Sequence, residues 1–231
     1  MAKGVIKAPF FEIGPKSYLY GDEILDLALA ADAASEKYGV DIIFTCPVVD
    51  IRRVAEATKH IHVFAPHMDP IPIGRGLADT LAESLVAAGA EGVMLNHVEK
   101  PLTREVLQAT IQRAAEVGLL SIVCADSMAD ASEIAAMHPD IIVAEPSELI
   151  GTGVSVGPEY VAAATDCVKK VDENILVLTA AGIANGEDVY NTIIAGADAT
   201  GSSSGVAKAA DRAAMVDEMI CAVRRAWDAR N

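Results

Sequence analysis

The chain repeats one local pattern eight times along nearly its whole length. A short run of apolar, largely β-branched residues is followed by a turn with Gly or polar residues, and then by an Ala-rich amphipathic segment. The runs are almost continuously apolar rather than alternating, which is typical of strands buried on both faces of a parallel sheet. The pattern predicts eight parallel strands, at residues 9–13, 40–44, 61–65, 92–95, 120–124, 140–144, 175–178 and 197–201.

The segments between the runs predict helices that each bury one face. Residues 23–38 and 103–117 show the clearest helical spacing of apolar side chains, and Thr103 is suited to cap the second of these helices. Gly39 and Gly118 precede the next strands, where a left-handed glycine can end a helix. The side chains predicted to face the core are Ile24, Leu27, Ala28, Ala31, Val106, Leu107, Thr110 and Ala114.

Length and composition fit an α/β fold in which the eight units close into a (β/α)8 barrel. Such barrels use roughly 200–250 residues, and this chain has 231, of which 52% are hydrophobic and 4% aromatic. No Ser- or Pro-rich linker interrupts the pattern, so we expect residues 1–231 to form one domain. The alternative is an open doubly wound sheet, which normally carries a Gly-rich phosphate turn after its first strand. The segment Gly14-Pro-Lys-Ser17 does not have that character.

Charge and cysteine content exclude several classes of function. The chain has 18 Lys and Arg against 33 Asp and Glu, a formal charge of -15 that repels nucleic acid and anionic membrane surfaces. No apolar run approaches the roughly 18 residues of a membrane-spanning helix, and residues 1–7 lack the apolar stretch of a signal peptide. Cys46, Cys124, Cys167 and Cys221 form no C-x-x-C pair that would suggest zinc. We therefore expect a cytoplasmic protein with reduced thiols.

The loops that follow the strands carry the functional site in a barrel of this kind. Glu145 ends a predicted strand, where partial burial makes a carboxylate a stronger base. Pro146 stiffens the start of the next loop, and Gly151 and Gly153 give its other end the freedom that a closing lid needs. An ordinary strand-end carboxylate followed by a Gly-rich turn explains the same residues without any chemistry.

Two other regions after predicted strands have residues suited to binding a substrate. His97 follows the fourth strand, where a neutral imidazole can donate a hydrogen bond to a carbonyl oxygen, although a single His is more often structural. Residues 180–183 and 202–206 follow the seventh and eighth strands. Small residues there let backbone N–H groups approach a phosphate, and barrels often bind phosphate at this position.

The combination of these segments resembles the triosephosphate isomerase family, in particular its short archaeal-type branch. The resemblance rests on Leu95-Asn-His-Val-Glu-Lys100, Glu145-Pro-Ser-Glu-Leu-Ile-Gly-Thr-Gly153 and Ala181-Gly-Ile-Ala-Asn-Gly-Glu-Asp188, in this order. It covers nearly the whole chain, because it extends to residues 64–70, 122–124 and 203–208. It implies a TIM barrel and an aldose–ketose isomerase whose substrate is a small phosphorylated sugar.

The resemblance also implies roles for individual residues. By similarity to the family, Glu145 is the base that moves a proton between two carbons, His97 is a neutral electrophile, and Lys16 supports the anionic charge of the substrate. Glu99 and Cys124 are implied to lie in the second layer of residues around the substrate, where they support these groups. The residues implied to bind phosphate and substrate, partly through a lid at 146–153, are Ile150, Gly151, Gly182, Ser203 and Ser204. Because the chemistry is proton transfer alone, no metal and no organic cofactor is implied.

The chain departs from the family pattern at four places near the substrate or the subunit contact. The family's Asn-x-Lys is replaced by Gly14-Pro-Lys16, so an amide that contacts substrate is missing, and its loss would make room for a longer substrate. The other departures are Val98 in place of Ser, Gly74-Arg-Gly-Leu-Ala78 without the family's Thr, and Ala180-Ala181 in place of a Gly-containing pair.

These departures leave three functions open. The first is a triosephosphate isomerase, acting on dihydroxyacetone phosphate and glyceraldehyde 3-phosphate, in which other groups compensate. The second is a paralogue that isomerises another short ketose phosphate, such as a four-carbon erythrulose phosphate. The third is a barrel that binds a phosphorylated metabolite without catalysis. The family assembles through the loop after the third strand, so we expect a homodimer or homotetramer.

Overall fold

A computed structural model describes residues 5–231, in which eight parallel strands close into a barrel in the order of the sequence. Residues 1–4 lie outside it, and with them the greater part of the segment at 1–7 and one end of the expected domain. Phe10 on the first strand pairs with Ala199 on the last, and this closure excludes the open doubly wound sheet. The strands are β1 (Phe10–Ile13), β2 (Asp41–Thr45), β3 (Ile61–Ala65), β4 (Gly92–Leu95), β5 (Leu120–Ala125), β6 (Ile141–Ala144), β7 (Leu176–Thr179) and β8 (Ala199–Ser202).

Helices follow the strands and cover the outside of the barrel. They are α1 (Asp22–Tyr38), α2 (Ile51–Ala57), α3 (Ala82–Ala88), α4 (Arg104–Val117), α5 (Met128–Ala135), α6 (Pro158–Lys169), α7 (Gly186–Ile194), α8 (Ser204–Ala207) and α9 (Arg212–Arg230). Single turns of 3₁₀ helix occur at Val48–Asp50 and Ser147–Leu149. The predicted (β/α)8 barrel is therefore confirmed, with predicted strand ends displaced by one or two residues.

The two helices with the clearest sequence pattern form as predicted, with one correction. Thr103 caps α4, because its hydroxyl accepts a hydrogen bond from the Val106 backbone N–H. The expected core position of Val106 is wrong, since this side chain is 38% exposed. The buried face of α4 instead includes Ile111, which lies one turn after Leu107. Val106 has the right spacing from Thr110 but lies at the edge of the face, in the first turn.

Side chains alternate along each strand between the barrel interior and the layer under the helices. The interior is filled by large apolar side chains such as Phe10, Ile43 and Phe64, while Phe11 and Ile13 pack outward against the helices. This alternation places Glu12 on the inward face of β1, one step closer than Phe10 to the carboxyl end of the barrel. Glu12 is the acidic residue in an otherwise apolar strand.

Phe64 fills the barrel interior only because the facing residue is glycine. A Cβ at Gly92 would lie 2.4 Å from two carbons of the Phe64 ring. We expect Gly92→Ala to lower the free energy of unfolding by about 1–3 kcal/mol, the usual cost of overpacking a core. Chemical denaturation would measure it. In the double variant with Phe64→Leu, the loss in free energy of unfolding should be smaller than the sum of the losses in the two single variants, because the facing side chain no longer has the ring that the added methyl group meets. Strictly additive losses would contradict this account.

Within residues 5–231, no helix combines the length and apolar character needed to span a bilayer.

Candidate active site

A pocket of about 910 Å³ opens at the carboxyl end of the barrel, where the loops after the strands converge. It brings together residues from the carboxyl ends of all eight strands or from the loops that follow them. All the site residues predicted from the sequence line it: Lys16, His97, Glu99, Cys124, Glu145, Ile150, Gly151, Gly182, Ser203 and Ser204. The fold therefore places every predicted site residue at one concave surface.

Lys16, His97 and Glu99 form a contiguous cluster in this pocket. Lys16 Nζ donates to Glu99 Oε1 at 2.8 Å and lies 3.2 Å from His97 Nε2. The Glu99 backbone N–H donates to His97 Nδ1 at 3.1 Å, and a neutral ring that keeps this bond carries its proton on Nε2, next to the Lys16 ammonium. The Nε2–H group and the Lys16 ammonium are then neighbouring donors, and one acceptor oxygen of a ligand can bind to both.

The surroundings of His97 keep its imidazole neutral. Burial lowers the pKa of His97, and the positive charge of Lys16 lowers it further, while Glu99 opposes the shift. The hydrogen bond from Lys16 lowers the pKa of Glu99, so this carboxylate stays ionised beside the ammonium. A neutral imidazole donates from Nε2 without the cost of burying a second positive charge.

We expect His97 to titrate below the ordinary value of 6.5 and also below His62. Burial acts to lower the pKa of His62, but the hydrogen bond and charge of Glu91, with Asp41, raise it overall. NMR of ¹⁵N-labelled imidazoles between pH 5 and 8 would follow both rings. A ring of His97 that gains its proton at higher pH than that of His62 would contradict the stated environment.

Glu145 lies directly after β6 at the edge of the pocket. Its backbone N–H donates to the Ala125 carbonyl at 3.0 Å, which continues the strand pairing and fixes the origin of the side chain. Burial raises the pKa of Glu145, Lys16 opposes the shift, and the charges of Glu99 and Asp126 add to it. A carboxylate with a raised pKa is a stronger base than one in water.

The loop after Glu145 has the backbone features expected of a lid. Its first turn is anchored, because the Ser147 N–H donates to Asp126 Oδ1 at 2.7 Å. At the other end, Gly151 and Gly153 both have φ of 73°, a left-handed conformation that glycine adopts without strain. The glycine-containing half of the loop lines the pocket, while the half next to Glu145 is held by Asp126.

The loops after β7 and β8 form a wall of small residues. Gly182 has φ of 71°, and a Cβ there would lie 2.0 Å from the Val154 carbonyl oxygen, so the backbone directly after residues 146–153 packs closely on this glycine. The Ser203 hydroxyl oxygen is buried, and no group in residues 5–231 hydrogen-bonds it. α8 begins at Ser204. Lys208 also lines the pocket, with its Nζ 4.8 Å from the centre of the Tyr18 ring.

Asn96, directly after β4, and Cys124, on β5, have surroundings that indicate structural roles. Asn96 bridges two segments: its amide donates to the Cys124 carbonyl at 2.9 Å and its oxygen accepts from the Leu102 N–H at 3.1 Å. Burial raises the pKa of the Cys124 thiol well above its usual value, and the charges of Glu145 and Glu12 add to the shift. The thiol is therefore neutral.

Nowhere in residues 5–231 are three His, Cys, Asp or Glu side chains grouped to hold a metal.

Glu12 lines the same pocket, although it is absent from the site predicted from the sequence. Its Oε1 lies 2.9 Å from the place where a Cβ of residue 14 would be. The expectation that Gly14 leaves empty room for a longer substrate is therefore wrong, because a neighbouring carboxyl occupies the space. The sequence signal that could have revealed it is a lone carboxylate at an inward position of an apolar strand.

Comparisons with known proteins agree with this geometry. The family model described as triosephosphate isomerase matches residues 16–219. The triosephosphate isomerase of Saccharolobus solfataricus is 35% identical over 226 residues, which cover 96% of this chain and 99% of that protein. That of Methanosarcina barkeri is 35% identical over 217 residues, covering 92% and 97%.

One solved structure shows the likeness of fold at much lower identity. The crystal structure of triosephosphate isomerase from Bartonella henselae superposes with a TM-score of 0.78 at 17% identity, covering 94% of this chain and 99% of that one. At this identity the likeness concerns the fold alone. The family match and the archaeal relatives extend over nearly the full sequence. The chain belongs to the triosephosphate isomerase family of intramolecular oxidoreductases.

Proposed function

We propose that this chain interconverts dihydroxyacetone phosphate and glyceraldehyde 3-phosphate by proton transfer through an enediolate. The observation that carries the proposal is the convergence of Lys16, His97 and Glu145 on one pocket whose opposite wall is built from small residues. A base, a neutral donor and a cation are the groups that such an isomerisation requires. The relatives from Saccharolobus solfataricus and Methanosarcina barkeri are named triosephosphate isomerase, and their matches to this chain cover 99% and 97% of their lengths.

Glu145 acts as the base in this mechanism. Its carboxylate removes a proton from C1 of the ketose, and the electrons of the C–H bond form the double bond between C1 and C2. The carbonyl oxygen thereby becomes an enediolate oxygen, and Glu145 carries the proton. Glu145 then returns this proton to C2, while the hydroxyl proton on O1 is transferred to O2. Atoms and charge balance, because the two sugars are isomers.

His97 and Lys16 stabilise the charge that develops on the substrate oxygens. The Nε2–H of His97 and the ammonium of Lys16 lie 3.2 Å apart, so one oxygen can accept from both. Donors fixed in place before the reaction stabilise a developing oxyanion more than they stabilise a neutral carbonyl. Glu99 holds Lys16 at 2.8 Å and so prevents the ammonium from turning to solvent.

The wall formed by Gly182, Ser203 and Ser204 is proposed to hold the phosphate. The unpaired Ser203 hydroxyl supports this placement, because a buried polar atom without a partner carries a cost that a phosphate oxygen would remove. Ile150 and Gly151 of the lid are proposed to close over the phosphate. Exclusion of water matters, because a solvated enediolate can eliminate phosphate.

The assembly and location of the chain are further proposals. We propose a homodimer or homotetramer through the loop after β3, where Ile73 and Leu77 expose large apolar side chains. We also propose that residues 1–231 act as one domain, supported by the pairing of β1 with β8. A cytoplasmic location is supported by the four cysteines, all of which are free.

The test is an assay of the purified protein with several substrate pairs. Interconversion of the triose phosphates, measured with coupled dehydrogenases, is the expected result. Activity only with erythrulose and erythrose phosphates would replace the proposal by the four-carbon paralogue, which the filled space beside Gly14 does not favour. Binding of the triose phosphates without turnover would leave a non-catalytic barrel and refute the proposal.

A further inference from the structure

The Glu12 side chain is buried at the bottom of the pocket, in a space that its neighbours leave open for its carboxyl group. Its side chain is inward on β1 and the residue is 8% exposed. Thr45 on β2 donates its hydroxyl to Glu12 Oε1 at 2.5 Å. A Cβ at Gly14 would lie 2.9 Å from Oε1, and one at Gly201 would lie 3.1 Å from Oε2. Two glycines, Gly14 directly after β1 and Gly201 on β8, therefore make room for this one carboxyl group.

The second oxygen of Glu12 is left for a ligand. No group among residues 5–231 hydrogen-bonds Oε2, and the residue lines the same pocket as Lys16 and Glu145. The charges of Lys16 and Glu145 both act on Glu12, which shows that the three groups share one environment. Unlike the Ser203 hydroxyl oxygen, Oε2 is not fully buried, so a ligand in the pocket can reach it.

The proton of Glu12 has a defined place. Burial is the largest influence and raises the pKa of Glu12 to about 7; the hydrogen bond from Thr45 opposes this, Glu145 adds to it and Lys16 opposes it. When the Thr45 hydroxyl donates to Oε1, the proton of the neutral acid is on Oε2, the oxygen without a partner among residues 5–231. The neutral form thus has an O–H donor from which a ligand in the pocket can accept a hydrogen bond.

We propose that Glu12 is a catalytic residue that donates a hydrogen bond from its Oε2–H to an oxygen on one of the two reacting carbons of the sugar phosphate. The inference rests on the proposed isomerase function. It assigns no proton transfer to Glu12: the O–H bond of the acid stays intact, and the hydrogen bond strengthens as negative charge builds on the substrate oxygen. Glu145 remains the base.

Two substitutions at this position separate donation from packing. Glu12→Gln keeps an N–H donor and an acceptor for Thr45 at nearly the same size, whereas Glu12→Met fills the space without hydrogen bonding. We expect Glu12→Met to lower kcat/KM by about 10²-fold, the scale of one preorganised donor, and Glu12→Gln to stay within about tenfold of the parent. Thr45→Val removes the hydroxyl that holds Oε1 but leaves the acid in place, so we expect it to lose less activity than Glu12→Met.

Binding measurements give a readout that a purely structural role would not change. Calorimetry would compare 2-phosphoglycolate, whose carboxylate imitates the planar enediolate, with inorganic phosphate, which reaches only the phosphate wall. Glu12→Met should weaken 2-phosphoglycolate by at least tenfold and leave inorganic phosphate unchanged. Equal weakening of both ligands would show a structural role and overturn the inference.

The pH dependence supplies the second readout. Lys16 after β1, Cys124 on β5 and Glu145 after β6 are the titratable groups that act with Glu12, while Thr45 on β2 and Gly201 on β8 carry no charge. Loss of the Glu12 proton should lower kcat/KM on the alkaline side, with an apparent pKa near the value of about 7. Glu12→Gln should lack this limb, and a limb that persists in it would overturn the inference.

The two proposals fail in different ways. A parent protein that turns over no sugar phosphate refutes the isomerase function itself. A parent that is active, with a Glu12→Met variant within threefold of it and equally stable to heat, refutes only the role of Glu12. Thermal unfolding of each variant distinguishes loss of fold from loss of the donor, and a Glu12→Gln variant as impaired as Glu12→Met also refutes donation.

Discussion

Shortening Glu145 to Asp should lower kcat about 10²-fold while the barrel stays folded. Glu145 extends from the last residue of a paired strand, so its carboxyl position is fixed by the backbone, and removal of one methylene withdraws the base by about 1 Å. Glu145→Gln, which keeps the shape but cannot accept the proton, should lose about 10³–10⁴-fold, the upper range for a general base. Steady-state kinetics with either triose phosphate would measure both.

The control for this pair is Glu173, an exposed residue that does not line the pocket. Glu173→Asp and Glu173→Gln should match the parent in kcat and in thermal stability. A Glu145→Gln variant that retains more than a tenth of the parental kcat, with unchanged unfolding temperature, would mean that another group removes the proton.

Replacing Lys16 with Met should lower kcat/KM by about 10²–10³-fold. Lys16 is the cation at 2.8 Å from Glu99 and 3.2 Å from His97, so its removal takes away a donor for the substrate oxygen and leaves an uncompensated carboxylate beside an anionic ligand. Removal of one preorganised donor to a developing oxyanion costs about 10²–10³-fold in rate. We expect KM to rise and kcat to fall, because the cation acts on bound substrate and on the enediolate.

A second observation on the same variant tests the stated cause. Since the charge of Lys16 lowers the pKa of His97, the imidazole of Lys16→Met should gain its proton at higher pH than in the parent. Lys170→Met removes the same charge from an exposed position away from the pocket and is the matched control. If both lysine variants lose activity equally, net charge rather than position would be the cause.

The fold could be predicted because its signals are local. A strand buried on both faces must be apolar throughout, and a covering helix must repeat its apolar residues with a helical period, so each unit is readable without its neighbours. Thr103 was predicted as a cap for the same reason, since its partner is only three residues away. Val106 was misplaced because spacing alone does not distinguish the centre of a buried face from its edge.

The members of the candidate site could be predicted from segment order, but their contacts could not. Lys16 lies 81 positions from His97 and 83 from Glu99, and nothing in either segment reveals the distance between the side chains. The same limit explains why Glu12 was overlooked. Its carboxyl group is surrounded by Thr45 on β2 and Gly201 on β8, which come close to it only once β1 has paired with both of these strands.

The sequence by itself determined the eight-unit barrel, the positions of the loops and the family, because these depend on periodicity and on the order of motifs along the chain. The tertiary structure alone decided that the space beside Gly14 is filled, that Lys16 and His97 share one ligand position, and that a carboxyl group can be neutral at the floor of the pocket. The physical reason is that burial and electrostatic environment depend on distances between residues on different strands, which exist only once the barrel has closed.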